Sequence, residues 1–65
     1  MKIAVNGKTL DTQDQTVFEL LRSNGLENRM VVVEIDGEIV PKEKWAETGL
    51  SEGMKIEIVH FVGGG

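Results

Sequence analysis

The sequence contains no cysteine, and this absence excludes disulfide bonds and thiolate-bound metal sites. With one histidine and dispersed carboxylates, it also offers no cluster of metal ligands. No signal peptide and no long apolar run are present, so we expect a soluble, cytoplasmic protein that does not enter a membrane.

Basic residues are few: 7 Lys and Arg against 11 Asp and Glu give a formal net charge of -4. This sign disfavours nucleic acids and anionic membranes as partners, and it suits proteins with basic patches.

Motifs for bound nucleotides and for nucleophilic catalysis are also missing. Neither the phosphate-binding loop G-x-x-x-x-G-K-[ST] nor the dinucleotide motif G-x-G-x-x-G occurs. His60 has no evident partners for a catalytic triad, so we expect it to be a structural residue or a residue at the rim of the fold. These absences favour a protein that binds no cofactor itself and is not an enzyme.

What the sequence does contain is a series of turns and strands in 65 residues, enough for one small domain. A chain of this size buries only about 60% of its unfolded surface, so its core is marginal. Asn6-Gly7 and Asp36-Gly37 are strong signals for two-residue hairpin turns, because both turn positions tolerate positive φ. Alternating or β-branched residues flank these turns. The predicted strands are 2–5, 8–11, 30–35, 38–40 and 55–61.

A single short helix is predicted between the two hairpins. Thr16 and Glu19 have the spacing of a capping box, in which the Thr16 hydroxyl accepts from the Glu19 amide and the Glu19 side chain reaches back to the Thr16 amide. Asn24 and Gly25 supply a left-handed stop after about two to three turns. The helix has one apolar stripe, formed by Val17, Leu20 and Leu21.

The segment 41–49 is predicted to be an irregular loop with about one helical turn. Pro41 ends the preceding strand because it cannot donate a ladder hydrogen bond. We expect Trp45 to cover the edge of the core as a lid, and Met30 and Met54 to fill gaps at that edge. Phe18 is compatible with either a buried or an exposed position.

The order strand-strand-helix-strand-strand-strand predicts an α+β fold in which a mixed five-stranded sheet wraps one main helix. This order fits the β-grasp, or ubiquitin-like, roll. We expect residues 1–62 to form this domain and residues 63–65 to form a flexible C-terminal glycine tail. The residues predicted to face the helix are Ile3, Val5, Val33, Ile35, Ile56 and Ile58.

The glycines Gly63, Gly64 and Gly65 directly follow an apolar stretch. Because glycine has no side chain, such a terminus could enter a slot too narrow for other residues, and its α-carboxylate is unhindered. Three extended residues reach about 10 Å beyond the folded body. The alternative is a frayed end without function, since termini are often disordered.

Several segments, in order along nearly the whole chain, resemble the sulfur-carrier proteins of the thiamine pathway. The most specific are residues 40–45, which include Pro41 and Trp45, and residues 56–65, which include Phe61 and the glycines. Asn6-Gly7 and residues 15–21 match as well, although such hairpin and helix signals are common to the fold. The resemblance implies a β-grasp fold and a C-terminal Gly-Gly.

The resemblance also implies a function. In this family the terminal carboxylate is adenylated by an E1-like adenylyltransferase, converted to a thiocarboxylate and then used by thiazole synthase. Here that carboxylate belongs to Gly65, and Gly63 and Gly64 form the tail that enters the partners' active sites. ATP and magnesium would be bound by the activating partner, and the sulfur would come from a donor such as a cysteine desulfurase. We expect the free protein to be a monomer.

Three other functions remain open from the sequence. The small subunit of molybdopterin synthase is also a sulfur carrier that ends in Gly-Gly, but the ending at 61–65 and the short length resemble the thiamine branch more. A ubiquitin-like modifier, joined to lysines through an isopeptide bond, is the second. The third is a β-grasp interaction module whose glycines are incidental.

A candidate surface for partner docking follows from the alternation of side chains along the strands. If the inward-facing residues contact the helix, then Ala4, Val32, Val59 and Phe61 share the opposite face and lead into the tail. A cluster of apolar residues outside the core is a candidate interaction site. The alternative is a set of scattered surface residues without function, with a bulge near His60 turning Phe61 inward.

Overall fold

Five strands form one mixed sheet in the computed structural model, which describes residues 1–61 of the chain. The strands are β1 Lys2–Val5, β2 Lys8–Asp11, β3 Val31–Ile35, β4 Glu38–Val40 and β5 Lys55–His60. Their order across the sheet is β2-β1-β5-β3-β4. β1 and β5 run parallel, whereas the other neighbouring pairs are antiparallel. The predicted hairpins and mixed five-stranded sheet are confirmed.

Both hairpins turn through two residues with positive φ. Asn6 and Gly7 have φ of 51° and 81°, and Asp36 and Gly37 have φ of 52° and 86°. This is the combination that matches the twist of the flanking strands, and it is the reason that an Asn-Gly or Asp-Gly pair predicts it. The turn after β3 places Glu38 opposite Ile35 and fixes the register of β4.

The helix α1 spans Val17–Ser23, and its first turn is capped as predicted by the Thr16 hydroxyl, which accepts from the Glu19 amide at 3.1 Å. The reciprocal bond differs from the prediction. The Glu19 carboxylate accepts from the amide of Gln15 at 2.8 Å, and not from that of Thr16. A β-bridge between Thr16 and Gly49 holds the backbone extended ahead of the helix and brings the Gln15 amide to the carboxylate.

At the end of α1, the last carbonyl groups accept hydrogen bonds from amides of the residues that follow the helix. The amide of Leu26 donates to the Leu21 carbonyl at 2.8 Å, and that of Gly25 donates to the Arg22 carbonyl at 3.0 Å. Gly25 has a φ of 70°, in the left-handed region. This is the arrangement in which a helix closes on a glycine, and it confirms the predicted stop.

The core lies between α1 and one face of the sheet. The stripe on the helix is fully buried, and the inward-facing residues of the strands are buried or half-buried against it. Phe18 is half-buried and packs against the core edge, with the Arg22 guanidinium 5.7 Å from its ring centroid. The buried hydrophobic residues are Ile3, Val17, Leu20, Leu21, Val33, Trp45, Leu50 and Ile56.

The segment after β4 forms a 3-10 helix over Lys42–Glu47. Trp45 in this helix is only 3% exposed, and its indole Nε1 donates to the Val40 carbonyl at 3.1 Å. It therefore closes the core edge, as predicted. Met54 is half-buried against the core, but the same prediction for Met30 is wrong, because Met30 is 75% exposed. Met30 directly precedes β3, and the alternation of side chains puts it on the same face as Val32, which points away from the helix.

Candidate functional site

The face of the sheet that points away from α1 carries most of the predicted docking residues. Across β3 and β5, Val32 lies opposite Val59, and Glu34 lies opposite Glu57. Because side chains alternate along a strand, these four residues share one face while Val33 and Ile58 share the other. Val59 is 47% exposed and Val32 is half-buried.

Phe61 extends this face by one residue beyond β5. Its amide donates to the Met30 carbonyl at 3.0 Å, which continues the pairing of the two strands and places Phe61 opposite Met30. Phe61 is 54% exposed, so no bulge turns it inward. Its position therefore agrees with the predicted outward orientation.

Sequence reasoning missed two members of this surface, Met30 and Ile39. Ile39 lies opposite Glu34 in β4 and is 66% exposed. The turn at Asp36 and Gly37 contains the information needed to place Ile39. A two-residue hairpin loop pairs Ile35 with Glu38, and Glu34 must then pair with Ile39. We define the outer apolar patch as Met30, Val32, Ile39, Val59 and Phe61.

Ala4 lies on the same face but is not contiguous with this patch. It is half-buried and is the register partner of Lys55 across the parallel strands β1 and β5. Along β5, Glu57 lies between Lys55 and Val59. The structure thus brings Val32, Val59 and Phe61 together and places Ala4 at the far end of the face.

The last described residue, Phe61, belongs to the outer apolar patch. The predicted tail residues Gly63, Gly64 and Gly65 lie outside the described residues, as does the boundary predicted at 62. In the sequence only Val62 separates Phe61 from the first of these glycines. In the sequence, the outer apolar patch therefore ends two residues before the first glycine of this segment.

His60 lies on the other face of the sheet. It is exposed, and it borders a groove lined also by Leu10, Asn24 and Leu26, so it is a rim residue as predicted.

Within residues 1–61, no group of three or more His, Asp or Glu side chains is close enough to hold a metal ion. Among the helices of that same part of the chain, none has the length and apolar character needed to cross a membrane.

Together, the mixed β2-β1-β5-β3-β4 sheet over one helix and the apolar outer face that ends at Phe61 define a ubiquitin-like, β-grasp protein. The profile of the ThiS family matches residues 1–65, and the chain belongs to this family. The predicted fold and the predicted class, a sulfur carrier of thiamine biosynthesis, are confirmed at this level.

The similarity to individual relatives also supports membership of the ThiS family. The sulfur carrier protein ThiS of Bacillus subtilis is 45% identical over 65 residues, which cover 97% of this chain and 98% of that protein. The crystal structure of the thiamine biosynthesis protein ThiS from Geobacter metallireducens superposes with a TM-score of 0.82 at 32% identity and covers all of both chains.

A third relative is much longer. A thiazole synthase of Paramagnetospirillum magneticum is 42% identical over 66 residues and covers the whole of this chain. The present chain spans only 20% of the length of that protein. A domain of this kind is therefore part of a larger polypeptide in some relatives.

Proposed function

We propose that this protein carries sulfur for formation of the thiazole ring of thiamine, and that the carboxylate of Gly65 is the group that is chemically changed. The observation that supports this most directly is the family match, which runs over residues 1–65 and so includes all three glycines. The similarity to the Bacillus subtilis carrier along nearly the full length of both chains supports the same function.

The chemistry begins with activation of a poor acyl donor. A carboxylate does not react with nucleophiles, because oxide would have to leave. Attack of a Gly65 carboxylate oxygen on the α-phosphorus of ATP releases pyrophosphate and leaves an acyl-adenylate. A persulfide on the sulfur donor then attacks the acyl carbon and AMP departs, and a thiol reductant cleaves the S–S bond of the resulting acyl disulfide, so that a thiocarboxylate remains at Gly65. This thiocarboxylate is the sulfur donor that the thiazole-forming enzyme consumes.

The glycines suit this chemistry because both enzymes must reach a main-chain carbonyl carbon. A Cβ at Gly64 would narrow the fit of the segment in a channel, and a Cβ at Gly65 would crowd the reacting carbon. Three extended residues span about 10 Å, enough to carry the carbonyl past the surface of a partner. Gly63 and Gly64 are therefore the residues that enter the partner active sites.

We assign the enzymatic steps to partners. An E1-like adenylyltransferase would bind ATP and magnesium, a donor such as a cysteine desulfurase would supply sulfur, and thiazole synthase would use the product, while this chain binds no cofactor. The thiazole synthase of Paramagnetospirillum magneticum supports the last partner, since it contains a segment similar to this chain. Joining two partners in one polypeptide raises their effective concentration. We place these steps in the cytoplasm, with the free carrier a monomer.

The outer apolar patch is the docking surface in this proposal. Val59, Phe61 and Met30 are between 47% and 75% exposed, and they lie where β5 leads toward the glycines. Exposed apolar clusters of this kind mark interaction sites on small proteins. Ala4 would contribute at the edge of the contact, at the far end of the same face.

The test is an alkylation experiment that exploits the absence of cysteine. The protein is incubated with ATP, magnesium, an adenylyltransferase and a sulfur donor, treated with iodoacetamide, and sequenced by tandem mass spectrometry. We expect one alkyl group, located at Gly65, that depends on ATP. Alkylation is needed because oxidation of one of the 3 Met residues adds nearly the same mass as replacement of oxygen by sulfur.

The control is a variant that ends at Val62, without the three glycines, which should fold normally and remain unmodified. Intact mass of the natural protein shows whether Gly65 is its terminal residue, as the proposal requires. The proposal is wrong if Gly65 stays unmodified with enzymes that convert the Bacillus subtilis carrier under the same conditions.

A further inference from the structure

Two glutamates face each other in the middle of the outer face. Glu34 in β3 and Glu57 in β5 are register partners, so their Cβ atoms are about 5 Å apart. Like charges placed directly opposite each other in a sheet are destabilising. The fold alone gives no reason for this pair, because a Thr or Lys at either position would suit an exposed strand equally well.

One basic residue, Lys55, lies beside the pair on this face, two residues before Glu57 in β5, and it leaves the three side chains with a net charge of -1. The ion pairs found within residues 1–61 join the Met1 amino group to Asp11 and Lys44 to Glu47. Neither Glu34 nor Glu57 takes part in these ion pairs or in a side-chain hydrogen bond of the described residues. Glu57 is exposed and Glu34 is half-buried, and both lie on the face of the sheet that points away from the helix.

The acidic pair adjoins the outer apolar patch on two sides. Val32 and Val59 are the next residues on this face along the two strands, and Ile39 lies opposite Glu34 on the third. A partner that covers these apolar residues must therefore also remove water from the two carboxylates. Burying charges without a counter-ion is unfavourable, so the covering surface needs a cation at this place.

A second copy of this chain does not meet that need. Face-to-face association would bring four carboxylates together with only two Lys55 side chains, and each chain carries a formal net charge of -4. A protein with a basic side chain amid apolar surface is complementary to this face. Arginine fits best, because its planar guanidinium can donate to two carboxylates at once and loses less hydration on burial than an ammonium.

We propose that the outer face docks onto a protein surface that packs apolar side chains on the outer apolar patch and inserts an arginine between Glu34 and Glu57. The identity of the partner rests on the proposed function, and we choose thiazole synthase because the thiazole synthase of Paramagnetospirillum magneticum contains a segment similar to this chain. The two glutamates thereby act as a specificity determinant: they select a basic partner and disfavour self-association.

The test uses the full chain and the thiazole synthase of the same organism. The double variant E34Q/E57Q keeps the shape of both side chains and removes the repulsion. We expect the melting temperature of the free variant to rise by about 1–5 °C, because opposed like charges are lost from a small domain. We expect its Kd for thiazole synthase to rise by about tenfold, because the inserted cation loses its counter-charges.

A matched control is E38Q/E43Q, which makes the same change in net charge elsewhere. Glu38 is exposed on the opposite side of β4, since it pairs with Ile35, and Glu43 lies in the 3-10 helix. We expect this control to bind thiazole synthase with a Kd within about twofold of the natural protein. The affinity of the natural protein should also fall with added salt more steeply than that of E34Q/E57Q.

An unchanged Kd for E34Q/E57Q would overturn the inference. So would a dimer of the natural protein that forms through this face and competes with thiazole synthase. Alkylation of Gly65 by the assay described above is measured separately. If E34Q/E57Q binds normally and Gly65 is still modified, the docking inference fails and the carrier function stands. If Gly65 is never modified, the carrier function fails whatever the binding result.

Discussion

The side chain of Asn6 binds both backbone polar groups of Ile58. Its Nδ2 donates to the Ile58 carbonyl at 3.1 Å, and its Oδ1 accepts from the Ile58 amide at 2.7 Å. The backbone ladder between β1 and β5 pairs Ala4 with Lys55 and Val5 with Ile56, and the amide side chain continues it by one further step. Asn6 thus has two functions, since it also forms the first turn with a φ of 51°.

The first prediction concerns this contact. Asn6→Gly retains the positive φ of the turn but removes both hydrogen bonds, so we expect the free energy of unfolding to fall by about 1–3 kcal/mol. Urea denaturation measures the change. Asp36→Gly is the matched control at the same position of the other hairpin, and we expect a change below about 0.5 kcal/mol there. Equal losses in the two variants would contradict the assignment of the stability to the Asn6 side chain.

The second prediction concerns the start of α1. Thr16→Ala removes the hydroxyl that accepts from the Glu19 amide, and we expect a loss of about 1 kcal/mol in unfolding free energy. Thr16→Ser keeps an oxygen at the same place and should lose only a few tenths of that amount. Thermal unfolding of the two variants, followed by circular dichroism, gives the comparison. A Ser variant as unstable as the Ala variant would show that the methyl group, and not the cap, is responsible.

The third prediction separates docking from folding. Phe61→Ala removes a side chain that is 54% exposed, so we expect the unfolding free energy to change by less than about 0.5 kcal/mol. Binding to thiazole synthase should weaken by at least about tenfold, as is usual when an aromatic residue is lost from an interface. Leu10→Ala in β2 removes another exposed apolar side chain at a distance from the outer apolar patch, and its Kd should not change. Isothermal titration calorimetry of each variant with thiazole synthase measures the two Kd values.

The fourth prediction tests the narrow-channel requirement. Gly64→Ala adds one methyl group next to the reacting residue, and we expect the yield of alkylated Gly65 to fall by at least about tenfold because of the steric conflict. The control is Gly49→Ala, where a Cβ would have only an ordinary contact at 3.8 Å with the Gln15 carbonyl. This control should be modified as efficiently as the natural protein. Equal yields from the two variants would mean that the partner channels tolerate a side chain.

Much of the fold could be predicted because the signals are local. The turn at Asn6 and Gly7, the Thr16 cap and the buried stripe of α1 each depend on residues a few positions apart. The alternation of β3 and β5 likewise placed Val59 and Phe61 on the outer face. These features need no knowledge of which strands are neighbours.

What could not be predicted depends on distant pairing. The neighbours of β5 are β1 and β3, and no local pattern shows that Ala4 pairs with Lys55 or that Glu34 faces Glu57. Two features therefore follow only from the pairing of strands in the folded sheet. One is the position of Ala4 away from the outer apolar patch, and the other is the pair of opposed carboxylates. The gap-filling character of methionine favours the edge of the core for Met30, whereas its position before β3 directs it outward.

The central position of β5 has a consequence for the timing of biosynthesis. This strand is made after all the others, yet β1 and β3 can be joined only through it. A nascent chain on the ribosome therefore cannot complete the sheet until residues 55–60 have emerged. Completion of the fold therefore waits for the strand that in the sequence comes just before the glycines.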